Sequence, residues 1–255
     1  MPDVISVFDL HRAYGTLEAL CGVSFTVARG EVFGLLGPNG AGKTTILETL
    51  EGLRPVQRGE VIINGVDVSR DPYRVRRMVG VQLQQATFFD HLNLVELLRL
   101  FGELYETGAD PDALLELVGL EQRGRSPVKT LSGGQRQRFS VATALVNDPS
   151  VVFLDEPTSG LDPQGRRRLW DIVKSLRERG RTVVLTTHYI EEAEALCDRV
   201  GILDEGRLIA LDSPRNLVRE LLARGFRSEV ELVPATLEDV YLDLTGREIR
   251  EEEDS

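Results

Sequence analysis

Short apolar runs alternate with helical patterns along most of the chain. Val32 to Leu36 is an apolar run that ends at a glycine, and Val183 to Leu185 is a second such run. Val151 to Leu154 is apolar without alternation, which is typical of a strand covered on both faces. Arg166 to Arg179, between the last two strands, has the spacing of an amphipathic helix. This order predicts an α/β fold with a mainly parallel sheet.

Two regions depart from this alternation. Strand-like segments at Val4 to Phe8, Gly22 to Val27 and Glu31 to Leu36 open the chain, and they predict an N-terminal antiparallel β subdomain. Apolar residues then recur at helical spacing from Leu92 to Tyr105. We therefore expect a helical insertion over roughly residues 86–130.

The chain ends in a hairpin and a helix. Arg199 to Leu203 and Arg207 to Leu211 predict the hairpin, and Pro214 to Ala223 predicts the helix. We place the main domain at residues 1–212 and a short C-terminal extension at residues 213–255.

A glycine-rich segment follows the strand that ends at Leu36. It matches the phosphate-loop pattern G-x-x-x-x-G-K-[ST] and opens a helix, which is the context that the pattern requires. Its residues are Gly37, Pro38, Asn39, Gly40, Ala41, Gly42, Lys43, Thr44 and Thr45. Backbone N–H groups of such a loop surround a phosphate, and the helix N-terminus adds partial positive charge. The alternative is a glycine-rich turn that binds nothing.

The phosphate loop predicts roles for two of its side chains. Lys43 would reach the β- and γ-phosphates of a nucleotide, and Thr44 would ligate Mg²⁺. The sequence therefore indicates a nucleoside triphosphate with Mg²⁺ and a P-loop NTPase core.

Acidic residues and a histidine end two of the apolar strands. Asp155 and Glu156 follow Val151 to Leu154, and His188 follows Val183 to Leu185. Ligands of open parallel sheets lie at the carboxyl edge, so Asp155 suits Mg²⁺ and Glu156 suits the attacking water. An acidic pair there also fits helix capping or a salt bridge, and a lone histidine is usually structural.

Two further segments could contact a nucleotide. Leu131 to Gln135, sequence L-S-G-G-Q, opens a helix whose N-terminus presents free N–H groups. Tyr14 precedes Gly15 and could stack on a purine, although a tyrosine beside a glycine is more often ordinary turn packing.

The composition narrows the class of protein. The 255 residues carry a formal net charge of −11, which argues against a general nucleic-acid-binding surface. Cys21 and Cys197 show no metal-site or disulfide spacing. No stretch has the length and apolarity of a membrane span or a signal peptide, so another chain must provide the span if the protein works at a membrane.

With these motifs in order, the chain resembles the ATP-binding subunits of ABC transporters over roughly residues 4–212. Gly37 to Thr45 is similar to the Walker A loop, Leu131 to Gln135 to the signature segment, and Val151 to Glu156 to Walker B. The ending from Thr236 to Glu248 resembles that of bacterial ATPases that export drugs and polysaccharides.

The resemblance implies roles for the remaining candidates. Tyr14 would stack on adenine, Asp162 would belong to the D-loop, and His188 would contact the γ-phosphate. Ser132, Gly133, Gly134 and Gln135 would bind the nucleotide of a second subunit. Gln82, Gln84 and Gln85 compete for the Q-loop position, and we favour Gln84, as a Mg²⁺ and nucleotide contact, because it falls where the strand is expected to end.

The resemblance also implies partners and a mechanism. ATP would close a dimer of ATPase subunits, permitted as a homodimer by the complete motifs, and hydrolysis would reopen it. An integral membrane permease would supply the transport path, with Ala86 to Phe89 and the following helix as the candidate contact. This chain would then be a peripheral protein at the cytoplasmic face of the membrane. The transported substrate is not encoded here, and no nucleic-acid partner is expected. The alternative is a soluble ABC ATPase that acts on ribosomes or DNA.

Overall fold

The structure is a computed structural model that describes residues 3–84, 87–224, 226 and 236–245. Its strands are β1 Asp3–Tyr14, β2 Leu17–Ala28, β3 Val32–Leu36, β4 Arg58–Ile63, β5 Val66–Asp67, β6 Val79–Gln82, β7 Val151–Asp155, β8 Thr182–Thr187, β9 Arg199–Asp204 and β10 Arg207–Asp212. Its α-helices are α1 Lys43–Leu50, α2 Pro72–Met78, α3 Leu94–Tyr105, α4 Pro111–Leu117, α5 Gly133–Ala144, α6 Pro163–Glu178, α7 Ile190–Leu196, α8 Pro214–Ala223 and α9 Leu237–Thr245. Short 3₁₀ turns lie at Glu121–Arg123 and Val128–Thr130.

Two sheets carry the strands. The first has the order β2-β1-β4-β5 and is antiparallel, as expected of an N-terminal β subdomain. The second has the order β10-β9-β3-β8-β7-β6, and all its pairings are parallel except that of β9 with β10. The predicted P-loop α/β fold class is confirmed.

The larger sheet is covered on both faces at its centre, where β3, β7 and β8 are buried at every position. In β7, Val152 and Leu154 face one hydrophobic core, whereas Phe153 faces the other. All five residues of β7 are buried. Burial on both faces explains why apolar and polar residues do not alternate in this strand. It also holds in place the strand ends that carry the residues of the site.

Helices α3 and α4 form the helical insertion. Asn93 and Glu96 cap α3 reciprocally, and Leu97 and Leu98 bury its apolar face in the same core as Phe139 of α5. The insertion is therefore anchored on the helix that follows the signature segment.

The C-terminal helices pack on the main core. Leu217 and Leu221 of α8 and Tyr241 of α9 are buried in it, and the backbone N–H of Leu237 donates to the Glu194 carboxylate at 2.9 Å. The division at residue 212 stays a prediction, and the charge-rich ending from Glu248 to Ser255 lies outside the described residues.

Several element bounds differ from those expected. β1 runs to Tyr14 and β2 begins at Leu17, so Tyr14 lies at the end of a long hairpin. Helices α2 and α7 were not predicted from the sequence, because each has only seven residues, too few to establish a clear period.

Candidate functional site

Three adjacent parallel strands end at one edge of the larger sheet and bring the site together. In the register, Leu36 of β3 lies beside Thr187 of β8, and Asp155 of β7 lies beside Thr186. The loop after β3 and the residues after β7 and β8 therefore emerge side by side, as the strand pattern predicts.

The Walker A loop (Gly37–Thr45) needs its glycines. Gly42 has φ +104°, a backbone conformation that other residues rarely adopt, and a Cβ there would lie 2.8 Å from the Ala19 carbonyl oxygen. The Gly206 N–H donates to the Ala41 carbonyl at 3.1 Å. The loop is thus seated on β2 and on the turn between β9 and β10, while Asn39 and Gly40 at its tip are exposed.

Lys43 is buried at the start of α1. Its ammonium donates to the Gly37 and Pro38 carbonyls at 2.9 and 3.1 Å, and it lies 3.2 Å from Oε1 of Glu156. Burial lowers the pKa of Lys43, and the neighbouring Glu156 opposes that change. The Lys43 side chain is 4% exposed, so this pair is shielded from solvent.

Glu156 lies between Lys43 and His188. Nδ1 of His188 is 3.4 Å from Oε2 of Glu156. The His188 ring first, and the Lys43 ammonium second, hold the pKa of the Glu156 carboxyl below its usual value against the effect of burial. Glu156 is therefore a carboxylate at neutral pH, ready to accept a proton or orient water.

Asp155 is the second buried acid. Its Oδ1 accepts a hydrogen bond from Oγ1 of Thr186 at 2.5 Å and one from Oγ1 of Thr44 at 3.4 Å. Burial raises the pKa of the Asp155 carboxyl, and both hydroxyls oppose the increase. Two hard oxygen donors, on Thr44 and Asp155, thus face the space above the loop.

Gln84 lies at the site, but it does not lie at the end of strand β6 as expected. β6 ends at Gln82, whose side chain is fully buried, so the strand does not extend to Gln84. The chain turns after Gln82, and Nε2 of Gln84 lies 3.4 Å from Oε2 of Glu156. Gln85 lies outside the described residues.

Tyr14 is half-exposed and has cationic neighbours. The guanidinium carbons of Arg12 and Arg54 lie 5.0 and 5.5 Å from its ring centroid. Arg54 is also held by the Glu48 carboxylate. Tyr14 is therefore held at the end of the hairpin with two guanidinium groups against its ring.

The signature segment (Leu131–Gln135) is held by hydrogen bonds between its own residues. Ser132 accepts a hydrogen bond from the Gln135 N–H at 3.3 Å, and Gln135 accepts one from the Ser132 N–H at 3.0 Å. Ser132 and Gly133 are exposed. Within the described ranges, no hydrogen bond or ion pair joins this segment to the Walker A loop.

The D-loop candidate lies beside the signature segment. Asp162 caps α6 by accepting from the Gly165 N–H at 2.9 Å, and it is exposed. A Cβ added to Gly134 would lie 3.7 Å from Leu161. Gly134 thus lies close to the D-loop.

The sequence analysis missed several residues near the site. Thr186 links the two acids, and Arg54 covers Tyr14. Glu51 and Glu192 are each 1% exposed, and burial raises the pKa of Glu51 to about 8. The signal that could have found Thr186 is a hydroxyl that directly follows the apolar run Val183 to Leu185, one residue before the end of β8.

Comparison with known proteins supports one assignment. Residues 20–159, more than half of the chain, match the family model described as ABC transporter. The chain is 37% identical to the Nod factor export ATP-binding protein I of Ralstonia nicotianae, over 97% of this chain and 95% of that protein. It is 46% identical to a daunorubicin resistance ATP-binding protein of Streptomyces coeruleorubidus, over 81% of this chain and 67% of that protein.

Solved structures agree with these relatives. An ATP-binding subunit of an ABC transporter superposes with a TM-score of 0.81 at 31% identity, covering 95% of this chain and 99% of that one. A dimeric ATP-binding cassette in a post-hydrolysis state, bound to ADP and Pi, gives a TM-score of 0.75 at 27% identity, covering 82% of this chain and 98% of that one. The family expected from the motif order is confirmed: this chain belongs to the ABC transporter family, as an ATP-hydrolysing ATP-binding subunit.

Proposed function

We propose that this chain powers a membrane exporter and that it works as a nucleotide-closed dimer in which each ATP lies between two subunits. The contacts of Glu156 with Lys43 and with His188, beside the Walker A loop, are the observation that carries the catalytic part. Export is supported by the relatives, which are named for Nod factor export and for resistance to daunorubicin and linearmycin.

Nucleotide binding uses the Walker A loop and Tyr14. The loop N–H groups and the N-terminus of α1 receive the phosphates, and Tyr14 stacks on the adenine. Lys43 exchanges its contact with Glu156 for the β- and γ-phosphates. Because Lys43 and Glu156 are only 3.2 Å apart, this exchange frees the Glu156 carboxylate for water at the moment when ATP arrives.

The residues at the site fit Mg²⁺ bound together with ATP. Mg²⁺ prefers hard oxygen ligands and usually takes one or two protein groups plus phosphate oxygens. Thr44 and Asp155 offer oxygens 3.4 Å apart, and Gln84 adds an amide oxygen nearby. In the part of the chain that the structure describes, no three His, Cys, Asp or Glu side chains form a protein-only metal cage. When bound, Mg²⁺ would neutralise charge on the β- and γ-phosphates.

Hydrolysis depends on placement more than on covalent chemistry. Glu156 orients and deprotonates the water that attacks the γ-phosphate. His188 contacts the γ-phosphate and, at 3.4 Å, the Glu156 carboxylate, so it holds the base and the phosphate in one geometry. Lys43 balances the charge that develops on the phosphate oxygens.

The signature segment completes the site of a second subunit. Ser132 and Asp162 are exposed and Gly134 lies beside Leu161, and the N-terminus of α5 presents positive partial charge there. The γ-phosphate binds both subunits only when they are closed, so ATP shifts the equilibrium to the closed dimer and hydrolysis reverses it.

The helical insertion is our candidate for the contact with a membrane permease. Phe88 packs on Phe139 with ring centroids 5.2 Å apart, whereas Phe89 is 63% exposed and Leu83 is 44% exposed. Phe88 therefore belongs to the core, and Phe89 carries the proposed contact; Ala86 lies outside the described residues. Among the described helices, none combines the length and apolarity needed to cross a bilayer.

Affinity purification from detergent-solubilised source cells tests this function. We expect a polytopic membrane protein to copurify with the tagged wild-type chain and to be lost with Phe89→Ser. The control is Phe8→Ser, because Phe8 is similarly exposed at 66% but lies in β1. Ribosomal proteins or nucleic acid in place of a membrane protein would contradict transport and favour a soluble ABC ATPase.

A further inference from the structure

Thr186 is a polar residue that follows the apolar run of β8, Val183 to Leu185. It is the penultimate residue of β8 and is fully buried. Burying a hydroxyl without partners costs free energy, so its bonds matter for the strand ends that form the site.

The Thr186 hydroxyl contacts both acids of Walker B. Its Oγ1 accepts the backbone N–H of Glu156 at 2.9 Å and donates to Oδ1 of Asp155. One hydroxyl has one donor, and that donor is used on the carboxylate. Thr186 is thus joined to the backbone of one acid and to the side chain of the other.

Glu156 needs such a restraint because of its backbone. Its φ is +46°, in the left-handed region, which costs on the order of 1–2 kcal/mol for a residue with a Cβ. Such conformations persist only where the surroundings hold them. The Thr186 bond fixes the N–H of this residue and therefore the direction in which its carboxylate leaves the strand.

We propose that Thr186 is a positioning residue for hydrolysis, whose hydroxyl sets the arrangement of the Asp155 carboxylate and the Glu156 backbone. This inference rests on the proposed roles of those two acids. Thr186 does not touch the phosphates in this account. It acts by keeping Glu156 aimed at the water and Asp155 turned toward Thr44, whose hydroxyl lies 3.4 Å away.

A positioning role predicts a loss in kcat without a loss of binding, since small displacements of a catalytic group reduce the rate strongly. Thr186→Val keeps the shape of the side chain and removes the hydroxyl. We expect kcat to fall about tenfold, with KM for ATP and the Kd measured by nucleotide titration within about twofold.

Three variants separate positioning from stability. Thr182 begins the same strand, is also buried, and accepts the Gly30 N–H at 2.9 Å, so Thr182→Val is the matched loss of a hydroxyl away from the site. It should lower the unfolding midpoint as Thr186→Val does and keep kcat within about twofold. Thr186→Ser should restore kcat to within about threefold of wild type, because it restores the hydroxyl. Thr186→Ala, which introduces no new group, should match Thr186→Val.

The outcomes distinguish this inference from the proposed function. If Glu156→Gln stops turnover but Thr186→Val behaves like Thr182→Val, the positioning role is wrong and the catalytic assignment stands. A failure of Thr186→Ser to recover kcat, or an equal loss in ATP affinity and kcat, would also overturn it. If Glu156→Gln retains wild-type turnover, the catalytic assignment itself is wrong.

Discussion

The Walker A end and the signature end of this chain differ in how much of a site each contains. At the Walker A end, Lys43 and Glu156 are buried, His188 is partly buried, and Glu156 lies within 3.4 Å of each of the other two. At the signature end, Ser132 and Asp162 are exposed and bond only to the starts of their own helices. The Walker A end therefore contains candidate catalytic groups in contact with one another, whereas the signature end is an exposed surface. Under the proposed function, a single chain carries two halves of different sites.

Glu156→Gln gives the largest expected effect. Removing the general base should reduce kcat at least about 100-fold, while ATP binding is retained because Gln can occupy the same volume. Single-turnover hydrolysis and nucleotide titration measure the two quantities. Glu178→Gln, at an exposed position in α6, is the control, and a wild-type rate in Glu156→Gln would contradict the assignment.

Lys43→Ala should weaken ATP binding more than it destabilises the fold. Loss of a charge-assisted contact with the phosphates should weaken ATP affinity roughly thirtyfold. Isothermal titration calorimetry measures the ATP affinity. The control is Lys174→Ala, at an exposed position in α6. Unchanged affinity would show that Gly37 to Thr45 is not the phosphate site.

Ser132→Asp tests the signature end, because it changes the charge of the exposed surface without destabilising helix α5. Aspartate caps a helix N-terminus as well as serine, so α5 should keep its stability. Its charge should repel the γ-phosphate of the partner subunit and weaken ATP-dependent dimerisation at least about tenfold. Analytical ultracentrifugation measures the fraction of dimer. Equal ATP-dependent dimerisation of the wild-type chain and of Ser132→Asp would contradict a nucleotide site shared by two subunits.

The smallest expected effect is that of Glu51 on the free energy of unfolding. Its carboxyl has a pKa of about 8 in the folded chain and an ordinary value of 4.5. The folded chain therefore holds more protons between these values, and the free energy of unfolding falls as pH rises from about 4.5 to 8.

Glu51→Gln removes this pH dependence. We expect it to raise the free energy of unfolding by on the order of 1 kcal/mol at pH 8, with less gain at pH 5. Urea unfolding at the two values measures it, and Glu116→Gln, at an exposed site, is the control. An equal change at both pH values would contradict the pKa of Glu51.

The sequence predicted the parts of the site whose residues are fixed by local chemistry. A phosphate loop has few alternatives, and the continuous apolar run of β7 required a strand buried on both faces. The topology then brought His188 to Glu156, because neighbouring parallel strands end at the same edge.

Other features depend on contacts between distant segments. Thr186 acquires its role only when β8 pairs with β7 in the register that sets it beside Asp155. Arg54 reaches Tyr14 only after the hairpin packs on the end of α1. Gln84 lies near Glu156 through a turn after β6 that has no pattern of its own.

The central claim is that ATP joins the Walker A end of one subunit to the signature end of another. Its most direct test is light scattering after size exclusion of Glu156→Gln with and without ATP. The account predicts twice the chain mass of 28.4 kDa with ATP, the single mass without it, and the single mass with ATP when Ser132→Asp is added. A dimer that ignores ATP or Ser132→Asp, or a monomer under all conditions, would contradict it.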